Sequence, residues 1–242
     1  MRLVVILAAH TPYKGALLER SCKRMGVEVV RYKEGEPWPN DYRVGKLVHG
    51  LECVLSLPND VTHVMHLDSS DSLVLAGPLE IVGKFEAIRK AGDGKILIQG
   101  EKNCYPDKRL EQRYGPALSP WRFVNSGGWI AERVDAAIAM RRVADLSTYC
   151  DQRCWTHAYL NQVVPVEVDE SCLIFQSMYL QERNEFTLSG GRLSNLKTGS
   201  TPCILHWNGT KNQGSPYSRD GVWACLNLEG SIPRNLEAGA RA

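Results

Sequence analysis

Val61-Thr62-His63-Val64-Met65-His66-Leu67-Asp68-Ser69-Ser70-Asp71 is the stretch on which the fold turns. Its apolar part, Val61 to Leu67, predicts a buried strand, and two carboxylates follow it without a break. Upstream, Val44, Leu47, Val48, Leu51, Val54 and Leu55 recur at helical spacing from Arg43 to Leu57, and Pro58-Asn59-Asp60 ends that helix. Downstream, Gly77-Pro78 opens a helix to about Ala91, and Lys95 to Gln99 predicts the next strand. At the start of the chain, Leu3 to Ala9 is a Val/Ile/Leu run. Pro12 opens a helix to Met25 with Gly26 as its C-cap, and Val27 to Tyr32 is a second strand. Strand and helix thus alternate over the first hundred residues. That order predicts a doubly wound, Rossmann-like mixed α/β sheet, which binds ligands at the carboxyl ends of its strands, where Asp68 to Asp71 lies.

After Glu101 the order loosens. Pro106, Gly115, Pro116 and Pro120 punctuate a loop, and Arg122 to Ile130 is strand-like around Gly127-Gly128. Helices are expected at Val134 to Ala144 and Asp151 to Asn161. Short strands at Val166 to Val168 and Cys203 to Trp207 make the last third an α+β elaboration. The length of 242 residues is read as one domain: a nucleotide-binding half over 1–101, an acceptor and metal half over 102–232, and a disordered tail over 233–242.

A formal net charge of +2 lacks the strong basicity of a nucleic-acid packaging protein, so any basic footprint is local. Lys108, Arg109, Arg113, Arg122, Arg133, Arg141, Arg142 and Arg153 are either such a footprint or a solvated surface. The eight cysteines include no Cys-x-x-Cys pair and are expected to be reduced and mostly buried. The first apolar run is too short to span a membrane, so the chain is expected to be cytoplasmic, with no membrane partner.

Asp68 and Asp71 at a strand end suit a divalent cation such as Mn²⁺, with His206 as the third candidate ligand. His206 opens His206-Trp207-Asn208-Gly209-Thr210-Lys211, a turn whose amides, small residue and cation suit a diphosphate. Taken alone, Asp-x-x-Asp also describes a capped, solvated turn, and a lone histidine is often structural. No glycine fingerprint follows the first strand, where Ala8-Ala9-His10-Thr11-Pro12 stands, and this argues against hydride transfer.

Several ordered segments resemble the glycosyltransferase domain of procollagen lysyl hydroxylases and the related collagen glycosyltransferases, which have the GT-A fold. They are Glu36-Pro37-Trp38, His66 to Asp71 with Ala76-Gly77-Pro78, Tyr105-Pro106-Asp107 before Arg109-Leu110-Glu111, Arg122 to Ile130, Asp151-Gln152, Ile174-Phe175-Gln176 and His206 to Lys211. The resemblance covers about Leu3 to Lys211. It implies that Asp68, Asp71 and His206 bind Mn²⁺ with UDP and that Trp38 packs on the base; the residue-level alternative for Trp38 is a loop anchor. It places Lys46 near the donor, with Asn208, Gly209 and Lys211 at the diphosphate. Asn125, Ser126, Gly127 and Gly128 would line the donor sugar, or form only a bulged strand. Asp151 and Gln152 would lie at the sugar and acceptor side, Asp151 otherwise being a helix cap.

Two departures from the family stand out. Ser70 replaces an aromatic residue that contacts the nucleotide, and Leu146-Ser147-Thr148-Tyr149-Cys150 replaces a run of aspartates leading to Asp151. Loss of the acidic run, with arginines nearby, favours a polyanionic acceptor. The leading expectation is therefore transfer of glucose from UDP-glucose to a 5-hydroxymethylpyrimidine in DNA, such as hydroxymethylcytosine, as phage-type enzymes do. Trp121, Trp129, Trp155 or Tyr149 would then stack on a flipped base, unless they are core. Alternatives are a hydroxylysine-type peptide or glycan acceptor, or a non-catalytic binding module. Asp151 is the carboxylate nominated for an acceptor proton, and donor-sugar contacts without a base are the alternative.

Overall fold

The computed structural model describes residues 1–9, 15–33, 44–146, 150–182, 184–209, 218 and 222. Trp38, Lys211, Tyr149, the expected helix start at Pro12 and the tail over 233–242 lie outside the described residues.

The first strand, β1 (Leu3–Ala8), is followed by α1 (Ala16–Met25), β2 (Glu28–Tyr32), a π-helical turn at Val44–Val48 that runs into α2 (His49–Ser56), and β3 (His63–Leu67). After β3 come β4 (Ser72–Val74), α3 (Pro78–Ala91) and β5 (Ile96–Glu101). A 3₁₀ turn at Lys108–Arg113 then leads to β6 (Phe123–Glu132), α4 (Arg133–Ala144), α5 (Asp151–Leu160) and β7 (Val166–Asp169). Short strands complete the order: β8 (Phe175–Ser177), β9 (Phe186–Ser189), β10 (Arg192–Asn195) and β11 (Ile204–His206). Caps fall where the residue types require them. Gly26, at φ 67°, closes α1 by donating its N–H to the Cys22 and Lys23 carbonyls, and Pro78 stands in the first turn of α3 behind Gly77.

The main sheet has the order β2-β1-β3-β6-β5-β7. β1 runs parallel to β2 and β3, and β5 runs parallel to β7. Both faces of β1 are buried, as its unbroken apolar run requires. Val4 and Ile6 face a core with α2, α4 and α5, whereas Leu3, Val5 and Leu7 face a second core with α1 and α3. The expected doubly wound α/β architecture is therefore present.

Two features lay beyond the sequence pattern. β6 runs antiparallel between β3 and β5, a direction that an apolar stretch does not encode. The C-terminal elaboration includes a second sheet of order β4-β11-β8, in which β11 is antiparallel to β4 with His206 opposite Ser72. The β9-β10 hairpin turns at Gly190 and Gly191, both at positive φ. No disulfide joins the described cysteines, which apart from Cys150 are buried. Among the described residues no helix is long and apolar enough to cross a membrane.

Candidate metal and donor site

Two sheets meet where β3 ends. The Asp68 N–H donates to the Gly127 carbonyl at 2.8 Å, so β6 pins the first carboxylate as it leaves the strand. The chain turns through Ser69 and Ser70, with Ser70 exposed, and Asp71 directly precedes β4. Pairing of β4 with β11 delivers the third group, and the Trp207 N–H donates to the Asp71 carbonyl at 2.8 Å just beyond that ladder. His206 is 1% exposed; its Nε2 lies 3.4 Å from Asp71 Oδ1 and 3.8 Å from Asp68 Oδ2.

One ligand atom from each of the three residues falls within 4.8 Å of the others. His206 Nε2 and Asp71 Oδ1 are both buried with no other hydrogen-bond partner, as expected of ligand atoms that await a cation. Oxygen and imidazole donors suit Mn²⁺ or Mg²⁺, and cis ligands around such an ion stand roughly 3 Å apart. The residues present therefore fit a divalent metal.

A second acidic group with a histidine, His63, Glu86 and Glu132, sits at the opposite end of β3. There Arg89 donates to Glu86 at 3.0 Å and pairs with Glu132 at 2.8 Å, so a guanidinium already supplies the positive charge. His63 Nε2 is likewise bonded to Glu86 at 3.0 Å, so the ring and both carboxylates of this group already have partners, whereas among the described residues His206 Nε2 and Asp71 Oδ1 have none; that difference singles out the first group as the metal candidate.

Lys46, in the π-helical turn, points its Nζ at Asp68 Oδ1 (2.6 Å) and Asp151 Oδ2 (3.5 Å). Such single-turn departures from α-helix recur at functional sites. Burial by itself would lower the Lys46 ammonium, but Asp151 and Asp68 hold it well above the usual lysine range. Burial would raise Asp68, yet the Lys46 and His206 charges take it well below the ordinary carboxylate range. Burial would likewise lower His206, and the Asp71 and Asp68 carboxylates reverse this and raise it. His66, stacked on Trp129 at 5.7 Å, is pushed down to about 4 by burial and is neutral at pH 7.

Asp151, at the start of α5, is buried, and its Oδ2 accepts from the Ser126 hydroxyl at 2.7 Å. Gln152 fastens α5 to β6: its Oε1 accepts from the Ser126 N–H at 2.7 Å, and its Nε2 donates to the Val124 carbonyl at 2.6 Å. Asn125 accepts from the Gly127 N–H at 2.9 Å and shapes the double-glycine bulge. A Cβ on Gly127 would strike His206, and Gly128 backs onto Gln99. Asn208 donates to Glu101 at 2.9 Å and accepts from Ser177, and Gly209 adopts φ 85° against the Tyr179 ring. Thus Lys46, Asp68, Asp71, Asn125, Ser126, Gly127, Asp151, Gln152 and His206 form one connected constellation, and Trp38 and Lys211 lie outside the described residues.

Glu101 and Gln99, both on β5, were not foreseen from the sequence. Glu101 is buried, so its carboxyl is pushed up to about 7 despite the Asn125 and Asn208 side chains bonded to it. Only its strand-end position hinted at a site. The core reading holds for three of the candidate aromatics: Trp121, Trp129 and Trp155 are fully buried in the hydrophobic cores, so none can stack on a ligand base. Tyr105 is instead the exposed aromatic beside Gln152, which donates to the Tyr105 carbonyl at 3.4 Å. Much of the basic cluster is committed internally. Arg109 pairs with Asp107, Arg113 with Asn161, Arg122 with the Tyr114 carbonyl, and Arg133 with the Leu57 carbonyl.

The chain is 25% identical over 197 residues to the uncharacterized protein R699 of Acanthamoeba polyphaga mimivirus, covering 79% of this chain and 42% of that protein. It is 27% identical over 220 residues to bovine procollagen-lysine,2-oxoglutarate 5-dioxygenase 1, covering 86% of this chain and 30% of the relative. It is also 25% identical over 224 residues to the human multifunctional procollagen lysine hydroxylase and glycosyltransferase LH3, with the same two coverages. The chain therefore spans less than half the length of these relatives. Among solved structures, a glycosyltransferase involved in glycosylation of the major capsid of PBCV-1 aligns with TM-score 0.50 and 12% identity. That alignment covers 87% of this chain and 94% of the other, a likeness of fold. The PLOD GT domain family matches residues 2–215, nearly the whole described fold with its metal-fitting cluster, and the chain belongs to that glycosyltransferase-domain family.

Proposed function

We propose that this protein is a metal-dependent glycosyltransferase that transfers a hexose, first of all glucose from UDP-glucose, to a hydroxyl acceptor. The observation that carries this reading is the convergence of Asp68, Asp71 and the partnerless Nε2 of buried His206, with Lys46 and Asp151 alongside. A bound Mn²⁺ supplies Lewis-acid stabilisation of the departing diphosphate. Lys46 adds fixed positive charge at the same carboxylates, and Asn208 and Gly209 would flank the phosphates. Ser126 and Gly127 hold Asp151 and the metal face in register, and Gln152 keeps α5 from drifting. Ser126 and Lys46 compete with any acceptor hydroxyl for Asp151 Oδ2. This favours a retaining course over one in which Asp151 takes the acceptor proton. The described cysteines, buried apart from Cys150, fit a reducing, cytoplasmic compartment.

For the acceptor we infer a 5-hydroxymethylpyrimidine in DNA. Leu146 to Cys150 brings no carboxylate ahead of Asp151, and Arg141 and Arg142 stand exposed at the end of α4, which precedes that segment. With Trp121, Trp129 and Trp155 buried, stacking would fall to Tyr105 or to Tyr149, which lies outside the described residues. The procollagen-lysine names of the relatives make a hydroxylysine peptide the competing acceptor.

The test incubates labelled UDP-glucose and Mn²⁺ with hydroxymethylcytosine DNA, hydroxylysine peptide or glycan. Label in DNA alone, lost in Asp71→Ala and in high salt, is the expected result. Label in peptide alone overturns the DNA acceptor. Failure with UDP-glucose alone refutes the glucose donor, and absence of both transfer and hydrolysis across several UDP-sugars leaves a binding module instead of an enzyme.

A further inference from the structure

Gln99 lies on β5 with 0% exposure, and its Oε1 sits 3.1 Å from His206 Nδ1. An amide oxygen only accepts, so in this arrangement Nδ1 carries the proton. Nε2, the nitrogen that faces Asp68 and Asp71, then keeps its lone pair. Gln99 Nε2 has no hydrogen-bond partner among the described residues, so the contact with His206 is the polar anchor of this side chain.

The backbone makes room for this pair. The β5-β6 register shifts between Ile98 and Gln99, from Ile98 opposite Trp129 to Gln99 opposite Asn125, and Ser126 to Gly128 bulge out of the ladder. A Cβ on Gly127 would collide with His206 Cε1, and one on Gly128 would stand 2.8 Å from Gln99 Oε1. The two glycines thus clear space for the imidazole and for the amide that holds it.

We propose that Gln99 is a positioning residue of the metal centre: it holds His206 as the Nδ1–H tautomer, and the Gly127-Gly128 bulge exists to seat this imidazole–amide pair. The inference rests on the metal-dependent reading above. Without Gln99 the competing arrangement is Nε2–H donating to Asp71 Oδ1, already 3.4 Å away, which puts the proton on the ligand atom itself.

The test has two readouts. Long-range ¹H–¹⁵N correlation spectra of histidine-labelled, metal-free protein report the tautomer of neutral His206, and Mn²⁺ titration reports affinity. Wild type is expected to show Nδ1–H. Gln99→Leu is expected to show Nε2–H and to lose about 10–100-fold in Mn²⁺ affinity. Gln99→Glu, which still accepts, should keep the Nδ1–H signature. If Gln99→Leu does not fold, Gly128→Ala presses on the same amide oxygen and should move the tautomer in the same direction. A Gln99→Leu or Gly128→Ala protein with wild-type tautomer and wild-type affinity overturns this inference alone. A wild type that binds no Mn²⁺ sinks the metal reading itself, and the tautomer spectra separate that failure from this one.

Discussion

Lys46 stands between two carboxylates, so its removal reads out how the site is balanced without a metal. Lys46→Met leaves Asp68 and Asp151 facing each other unneutralised, and the metal-free protein should lose stability near the lower end of the ~3–5 kcal/mol typical of a broken buried pair. Denaturant melts with and without Mn²⁺ check this: the ion should restore part of the loss by replacing the positive charge at Asp68. Glu101 makes a prediction that depends on pH. Its carboxyl is raised to about 7 by burial, so the folded state holds its proton more tightly than the unfolded chain does. The resulting stability is fully present below the ordinary carboxylate value and is lost as pH rises through about 7. Wild type should therefore weaken over that window by on the order of 1 kcal/mol per pH unit relative to Glu101→Gln, as parallel thermal melts at pH 5 and pH 8 would show. His206 shares this sense: its folded pKa is raised, so its contribution is present below the ordinary histidine value and fades as pH rises through the raised one. Metal binding, which needs the free Nε2 lone pair, should strengthen over the same rise.

At the scale of elements, α5 is the one most directly tied to the chemistry, and Gln152 is the tie. Gln152→Ala removes the partners of the buried Ser126 N–H and the Val124 carbonyl, so about 2–3 kcal/mol of stability should go, from two backbone groups left unpaired. Because Asp151 is the neighbouring residue and bonds the Ser126 side chain, activity should fall by more than unfolding explains, which kcat at a temperature far below Tm would reveal. The loop before β8 offers a comparison away from the site. Asp169 accepts from the N–H groups of Leu173, Ile174 and Phe175, so Asp169→Ala should destabilise by about 3 kcal/mol while leaving the Mn²⁺ affinity of the folded protein intact.

For the whole molecule, the metal ligands come from two sheets that already share one core, where Val74, Phe175 and Ile204 pack with Val5, Leu7 and Met65, so cation binding stabilises the fold as a unit. Mn²⁺ at about 100 times its Kd should add about 2.7 kcal/mol, a rise of roughly 5–10 °C in Tm that Asp71→Ala should abolish. The sequence by itself determined the alternating strands and helices, the helix starts and stops at Gly26, Pro58 and Gly77-Pro78, and the delivery of Asp68 and Asp71 to a strand end. These are local matters of periodicity, backbone restriction and chain continuity, and nearest neighbours settle them. Only the tertiary structure decided that β6 runs antiparallel between β3 and β5, that β11 pairs with β4 so that His206 arrives beside Asp71, and that Gln99 and Glu101 belong to the site. It also consigned Trp121, Trp129 and Trp155 to the cores. Strand pairing and burial depend on residues distant in the chain, as Ser72 and His206 are. An apolar strand carries the same pattern whichever direction it runs, so these outcomes become visible only when the whole chain has packed.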